Sequence, residues 1–422
     1  MRKAFVIFAM MLVAGLSWSC KKYNPEESRR VLILYSAGYN NLSSALRVDI
    51  DDFASGYVPN DKRKSDVLLV ISRLRSDGDV KYTKGASPVL IRLTRKKGKE
   101  TKMDTLKVWP ANSAMADASF MREALEYVHD EFPAKGYGMI FSSHGSGWLP
   151  ARYYSDPTAF DPPDESIWYI DKRGRKKYGM PPIPEDEYPA VKSLGQDLGS
   201  PYAELEIQDL ARAFPMRMDY IILDACLMGC IEIAYELRNV CDILAFSPTE
   251  VLQDGFDYAS MTSRLLEQPK SDVEGVCSDY FNLYNERTGA ARSATISLVN
   301  CKALDRLADI CAQLFSKYRS ELDAITPASV QRYWRYERRY FYDLQDILLN
   351  CGINAEEASA LQQALDACIL YKASTPMFIS EFDITVYSGF SMFLPAACPK
   401  ANYLKDFYRS NVSWNARTGL VP

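Results

Sequence analysis

Short, fully apolar runs alternate with amphipathic stretches along much of this chain, and no other feature narrows the architecture as far. "VLILY" (31–35) and "DVLLVISRL" (66–74) are apolar on both sides of the pleat, and "SPVLIRLT" (87–94) reads as a third strand. Strands of that kind must be covered on both faces, so they belong in a mainly parallel sheet flanked by helices, an α/β fold. "RKKGKETKMDTLKVW" reads as an exposed hairpin. From Asn112 a helix is expected, because Met121, Ala124, Leu125 and Val128 recur at helical spacing. "YGMIFSSHG" is a further buried strand, and the helix after Ser200-Pro201 puts Ile207, Leu210, Ala211 and Phe214 on one face. Strand "MDYIILDAC" (218–226), helix "GCIEIAYELRNV" and strand "CDILAFSPTE" (241–250) continue the alternation. Past residue 256 the chain turns more helical. It carries a strand at 294–300, an aromatic-rich helix around "RYWRYERRYFYDLQDILL" and a late strand pair near "ITVYSGFSMFLP".

The 422 residues suffice for a sizeable core and more than one lobe, and with 47% apolar and 25% charged residues the composition is that of a globular chain. A formal charge of −4 leaves no electrostatic footprint for nucleic acid. The start, "MRKAFVIFAMMLVAGLSWSCKK", has a basic end, an apolar stretch and small residues before Cys20. It is too short to span a bilayer and reads as an export signal over residues 1–20. A cysteine behind the small-residue site looks like a bacterial lipoprotein box, with Cys20 lipidated, although Leu16 and Trp18 fit it imperfectly; plain cleavage and release is the alternative. The expected place is the bacterial cell envelope, on the periplasmic or outer-membrane face. Of ten cysteines, Cys20 aside, nine lie in the second half, mostly within apolar runs. An odd number leaves at least one unpaired, and buried free cysteines act as small hydrophobes.

Residues 150–201 differ. Nine prolines occur there, with tyrosines, acidic residues and the basic cluster "DKRGRKK". They read as a long insertion, not a packed element.

Two of the strands end alike. One delivers His144 followed by Gly145, the other Cys226 after Asp224 and before "LMG" and a helix. In open parallel sheets functional groups gather outside the carboxyl ends of the strands. An imidazole and a thiol meeting there make a nucleophile and its base, and a helix starting near Gly229 lowers the thiol pKa further. Gly145 and Gly147 keep the backbone slim enough for a carbonyl to approach N–H groups. A lone histidine and a packing cysteine are the plain alternative. His129, near the end of the helix from 112, suits a cation at a helix C-terminus. No G-x-S-x-G elbow occurs, and "CLMGC" is not C-x-x-C.

"SSHGSGW" followed by "ILDACLMG" resembles the two signature segments of the clostripain family of cysteine peptidases, of the caspase-like clan. "LILYSAGYNNLSSAL", "FYDLQDIL" and "GFSMFLP" resemble its other motifs, so the likeness runs from about residue 30 to 400. The resemblance implies a caspase-like sheet, with residues 30–255 as the catalytic domain and 256–422 as a helix-rich portion that completes the peptidase unit. It makes His144 the general base, Cys226 the nucleophile that passes through a thioester, and the N–H groups of Gly145 and Cys226 the oxyanion donors. Asp224 becomes the S1 carboxylate that selects Arg or Lys in a polypeptide substrate; a carboxylate bonding local N–H groups is the other reading. Family members mature by cutting themselves at a basic residue between the catalytic strands, which makes Lys172, Arg173, Arg175, Lys176 and Lys177 candidates; a solvated charge run is the alternative. Calcium is used by some members, yet no D-x-D-x-D-G loop occurs, and Asp254 and Asp257 suit turns better. The rival functions are a non-catalytic, polypeptide-binding envelope lipoprotein of the same fold, and a transferase using the same pair.

Overall fold

The structure, a computed structural model, describes residues 27–62, 65–75, 87–153, 159–161, 168–170, 176–178, 204–335 and 340–422. The expected export signal with Cys20, and the basic residues Lys172, Arg173 and Arg175, lie outside them. Among the described residues no helix is long and apolar enough to cross a membrane.

A nine-stranded sheet carries the fold. Its strands are β1 (Val31–Gly38), β2 (Val67–Leu74), β3 (Val89–Thr94), β4 (Lys102–Val108), β5 (Tyr137–Ser142), β6 (Met218–Asp224), β7 (Cys241–Phe246), β8 (Thr295–Asn300) and β9 (Ile369–Ser374). In space they run β9-β8-β7-β6-β5-β1-β2-β3-β4. The five central strands, β7 to β2, are parallel. Every residue of β1, β2 and β5 is buried, as a sheet covered on both faces requires. The outer strand β4 is largely exposed and carries Lys102 and Lys107, charges that discourage pairing with a further strand. The chain winds outward from β1 through β2, β3 and β4. It then returns to the other side of β1 at β5 and winds the opposite way. That reversal between β1 and β5 is the topological switch point, where parallel sheets open a crevice.

Helices α1 (Ser43–Ser55) and α2 (Ala118–Glu131) follow β1 and β4, and α3 (Ile231–Leu237) follows β6. The α2 helix begins later than its apolar spacing suggested, because Asp117 accepts hydrogen bonds from the N–H groups of Ser119 and Phe120 at 2.9 and 3.0 Å. The helix read after Ser200 is a single turn, Ile207–Leu210, continued as a 3₁₀ turn; Ser200-Pro201 lie outside the described residues.

Three other readings need correction. The described residues 331–335 and 340–343 are not helical: the N–H of Tyr333 donates to Phe341 O and that of Asp343 to Gln331 O, both at 2.9 Å. Helix appears only at Leu344–Asn350. Aromatic residues spaced like a helix are here buried by neighbours on several sides, and the backbone pairs across the segment instead. The late strand pairing also differs, since Ser391–Met392 pairs with Tyr342–Asp343 and not with a neighbour in sequence. Finally, the 150–201 insertion does contain packed parts. Trp168–Ile170 pairs antiparallel with Lys176–Tyr178. Tyr153 and Asp161 are buried, and the Asp161 carboxylate accepts the N–H groups of Tyr403 and Leu404 at 2.8 and 3.1 Å.

Trp148 explains why motifs so far apart in sequence belong together. Its fully buried indole lies 4.6 Å from the Phe393 ring, 4.9 Å from Tyr408 and 6.5 Å from Phe341, and Nε1 donates to Tyr340 O at 3.3 Å. Trp148→Ala is expected to destabilise the fold by about 3–5 kcal/mol, measured by denaturant unfolding with unchanged slope; a loss under about 1 kcal/mol would deny the cluster its role.

Candidate active site

The last pair in the β5–β6 ladder is Ser142 opposite Asp224. His144 and Cys226 each lie two residues further on, so neighbouring parallel strands release them at one level. Ser143 N still donates to Asp224 O at 3.4 Å. The two turns then press together. A Cβ on Gly145 would sit 2.4 Å from the carbonyl oxygen of Cys226, and one on Gly229 would sit 2.3 Å from Pro248 N. Glycine is required at both places.

The imidazole is 4% exposed, and its Nε2 lies 2.7 Å from Asn41 Oδ1, in the turn that follows β1. An amide oxygen only accepts, so Nε2 carries the proton and Nδ1 is the bare nitrogen. Burial pushes the His144 pKa down to about 3, so the ring is neutral in this closed state. Asn41 has no assigned part in the reading of the sequence; its only signal there is an Asn-Asn pair behind an apolar strand. His129 stands at the other end of the sheet, in the last turn of α2, half exposed with Nδ1 3.6 Å from Asp130. It matches the plain helix-end reading.

Cys226 is 0% exposed. Its sulfur accepts the Val251 N–H at 3.2 Å and lies 3.6 Å from Val251 O. Helix α3 starts only at Ile231 and is seven residues long, so the expected help from a helix beginning near Gly229 is weaker than its position suggested. The next residue, Leu227, holds a left-handed φ of 62°, uncommon without glycine and typical of constrained functional turns. A brace holds it: Leu227 N donates to Thr249 O at 2.9 Å and Gly229 N to Ser247 O at 2.8 Å. Val251 escapes sequence reasoning because only its main chain takes part.

Asp224 is also 0% exposed, and its carboxylate accepts the hydroxyls of Ser142, at 3.1 Å, and Tyr258. Both of these partners are side-chain hydroxyls. A cavity of about 60 Å³ borders His144, Gly145 and Gly147, closed by Glu204, Leu205 and Ile207. Neither Cys226 nor Asp224 lines it.

The nine cysteines among the described residues are all free and buried, as reduced core thiols would be. Among the described residues no three His, Cys, Asp or Glu side chains are placed to hold a metal ion. Asp254 pairs with Arg287 at 2.8 Å, and Asp257 caps a helix through Ser260 N at 3.1 Å. Of the basic cluster, Lys176 and Lys177 fall in the short paired strand Lys176–Tyr178.

A histidine whose pKa is depressed on folding contributes stability above its unfolded pKa, and loses it as pH falls toward the folded value. For His144 that window runs from 6.5 down to about 3. Glu232 and Glu250, pushed up by burial to about 7, act in the opposite sense and lose stability as pH rises to that value. Going from pH 6.5 to pH 5 should therefore cost the wild type about 2 kcal/mol more than it costs His144→Gln, compared by denaturant unfolding at both pH values. Equal losses would contradict a neutral buried ring.

The clostripain family profile matches residues 34–165 and 182–418. Clostripain of Hathewaya histolytica is 24% identical over 264 residues, which span 58% of this chain but only 44% of that protein. An inactive zymogen C11 protease from Parabacteroides distasonis superposes with a TM-score of 0.71 at 25% identity, covering 93% of this chain and 99% of the other. A secreted C11 cysteine protease from Bacteroides thetaiotaomicron gives a TM-score of 0.71 at 23% identity, over 93% of this chain and 100% of its own. With most of its length matched by the profile, and with a fold shared almost end to end, the chain belongs to the clostripain family.

Proposed function

We propose that this chain is an exported cysteine endopeptidase that cuts polypeptides after Arg or Lys, held in the bacterial envelope by a lipid on Cys20. The carrying observation is the common level at which β5 and β6 release His144 and Cys226 beside the switch point of the sheet. Residues 30–255 and 256–422 act as one peptidase unit in this reading, since β8 and β9 extend the same sheet.

The thiol of Cys226 gives its proton to Nδ1 of His144, while Asn41 holds Nε2–H and so fixes the tautomer. The sulfur attacks the scissile carbonyl carbon, and the N–H groups of Gly145 and Cys226 stabilise the oxyanion. Collapse expels the amine, which takes the proton from the imidazolium, and leaves a thioester. Water, deprotonated by His144, then hydrolyses it. A ring whose pKa burial holds near 3 is a poor base, so hydration on opening of the site restores its strength. Asp224, buried just behind the nucleophile, is the anion for a basic P1 side chain, with the Ser142 and Tyr258 hydroxyls orienting it.

A fully buried Cys226 thiol, with Glu204, Leu205 and Ile207 lining the small cavity at His144, fits a latent form. Cleavage within Lys172, Arg173, Arg175, Lys176 or Lys177, next to the chain that leads to Glu204, would release that cover.

Intact-mass measurement of the wild type beside Cys226→Ala tests the reading. A break after one of those basic residues, seen in the wild type alone, is the expected result. Under reducing conditions the wild type should release fluorophore from Arg-terminated and not Phe-terminated peptides. Asp224→Asn should lower kcat/KM for the Arg peptide by about 100-fold. An unbroken wild type that turns over no peptide would favour the polypeptide-binding lipoprotein, and ligation to added amines would favour the transferase.

A further inference from the structure

Besides Asp224, the rim holds two further buried charged side chains, Glu250 and Arg335. Glu250 is fully buried and the Arg335 side chain is 3% exposed, with its Nε 2.9 Å from the Glu250 carboxylate. Buried ion pairs add little stability compared with apolar packing, so their places in a fold often reflect position more than strength. The position here is specific. The residue after Glu250 is Val251, whose N–H donates to the Cys226 sulfur.

The loop from Ser247 to Val251 runs beside the nucleophile turn and braces it through Thr249 O, Ser247 O and Val251 N–H. At its near end the loop is pinned by Thr295, whose hydroxyl lies 2.8 Å from Ser247 Oγ and 2.9 Å from Thr249 Oγ1. At its far end the pin is the ion pair. Arg335 comes from the paired segment 331–343, more than a hundred residues downstream of Cys226.

We infer that Glu250 and Arg335 are positioning residues for the nucleophile: their ion pair holds the Val251 main chain against the Cys226 sulfur and makes its alignment depend on the C-terminal portion. The inference rests on the reading of Cys226 as the nucleophile. A hydrogen bond to the sulfur favours the thiolate, so loosening Val251 should also raise the pH at which the thiol ionises.

The test compares wild type, Glu250→Gln and Arg335→Lys, with thermal unfolding as a check on folding. Peptide turnover is one readout; the pH dependence of Cys226 alkylation by iodoacetamide, followed by peptide mass spectrometry, is the other. For Glu250→Gln we expect kcat to fall about 10- to 100-fold with KM within about twofold, as for a misplaced reacting group. The midpoint of Cys226 alkylation should move to higher pH. Arg335→Lys, which keeps the charge but not the Nε contact with Glu250, should fall between the two. Wild-type kcat and an unmoved alkylation midpoint in a folded Glu250→Gln would overturn the inference. If that variant does not fold, the same outcome in Arg335→Lys overturns it. A wild type that turns over no peptide, and whose Cys226 is alkylated no faster than the other buried cysteines, sinks the nucleophile reading itself, a result distinct from a reactive Cys226 indifferent to Glu250.

Discussion

Two strands side by side at the centre of the sheet, parallel and with Ser142 opposite Asp224, govern everything at this rim. Parallel pairing makes both chains leave the sheet in the same direction. Shared register makes them leave at the same height. A slip by one residue would turn each side chain to the other face and part the imidazole from the thiol. Gly145 follows from that constraint, because the turns leaving β5 and β6 at one height collide unless it gives way; Gly229 yields in the same way to Pro248, behind β7. Asn41 follows as well, since β1 lies on the other side of β5 and its turn reaches the imidazole.

The second constraint is exclusion of water. Trp148 seals one side of the rim by packing on Phe341, Phe393 and Tyr408. Glu232, in the first turn of α3, accepts the Phe393 N–H at 2.9 Å and the Tyr408 hydroxyl at 2.7 Å, which ties the C-terminal portion to the element after the nucleophile. In so dry a setting charges are given up unless a partner holds them: burial pushes the His144 pKa down and the Glu232 pKa up, each toward the neutral form. The same dryness strengthens each hydrogen bond that positions Cys226.

The central strands were legible because a run apolar on both faces has one stable setting, and their boundaries differ from the reading by a residue or two at most sites. The aromatic segment 332–349 was misread for the opposite reason. Tyr333 reaches Val386 O and Tyr342 pairs with Met392, and periodicity within a segment says nothing of a partner fifty residues away. The insertion was read as loose because prolines disrupt regular elements, yet Asp161 is held by the N-terminus of a helix at 402–411.

By itself the sequence determined the sheet, the ends of strands at which an imidazole and a thiol stand, and the glycines beside them, since each follows from local apolarity and backbone freedom. Only the tertiary structure decided that Asn41 orients the ring, that Val251 and not a helix end bonds the sulfur, and that Asp224 is held by the hydroxyls of Ser142 and Tyr258. Those contacts join elements distant along the chain, some through main-chain atoms that every residue possesses, and no spacing of side chains encodes them.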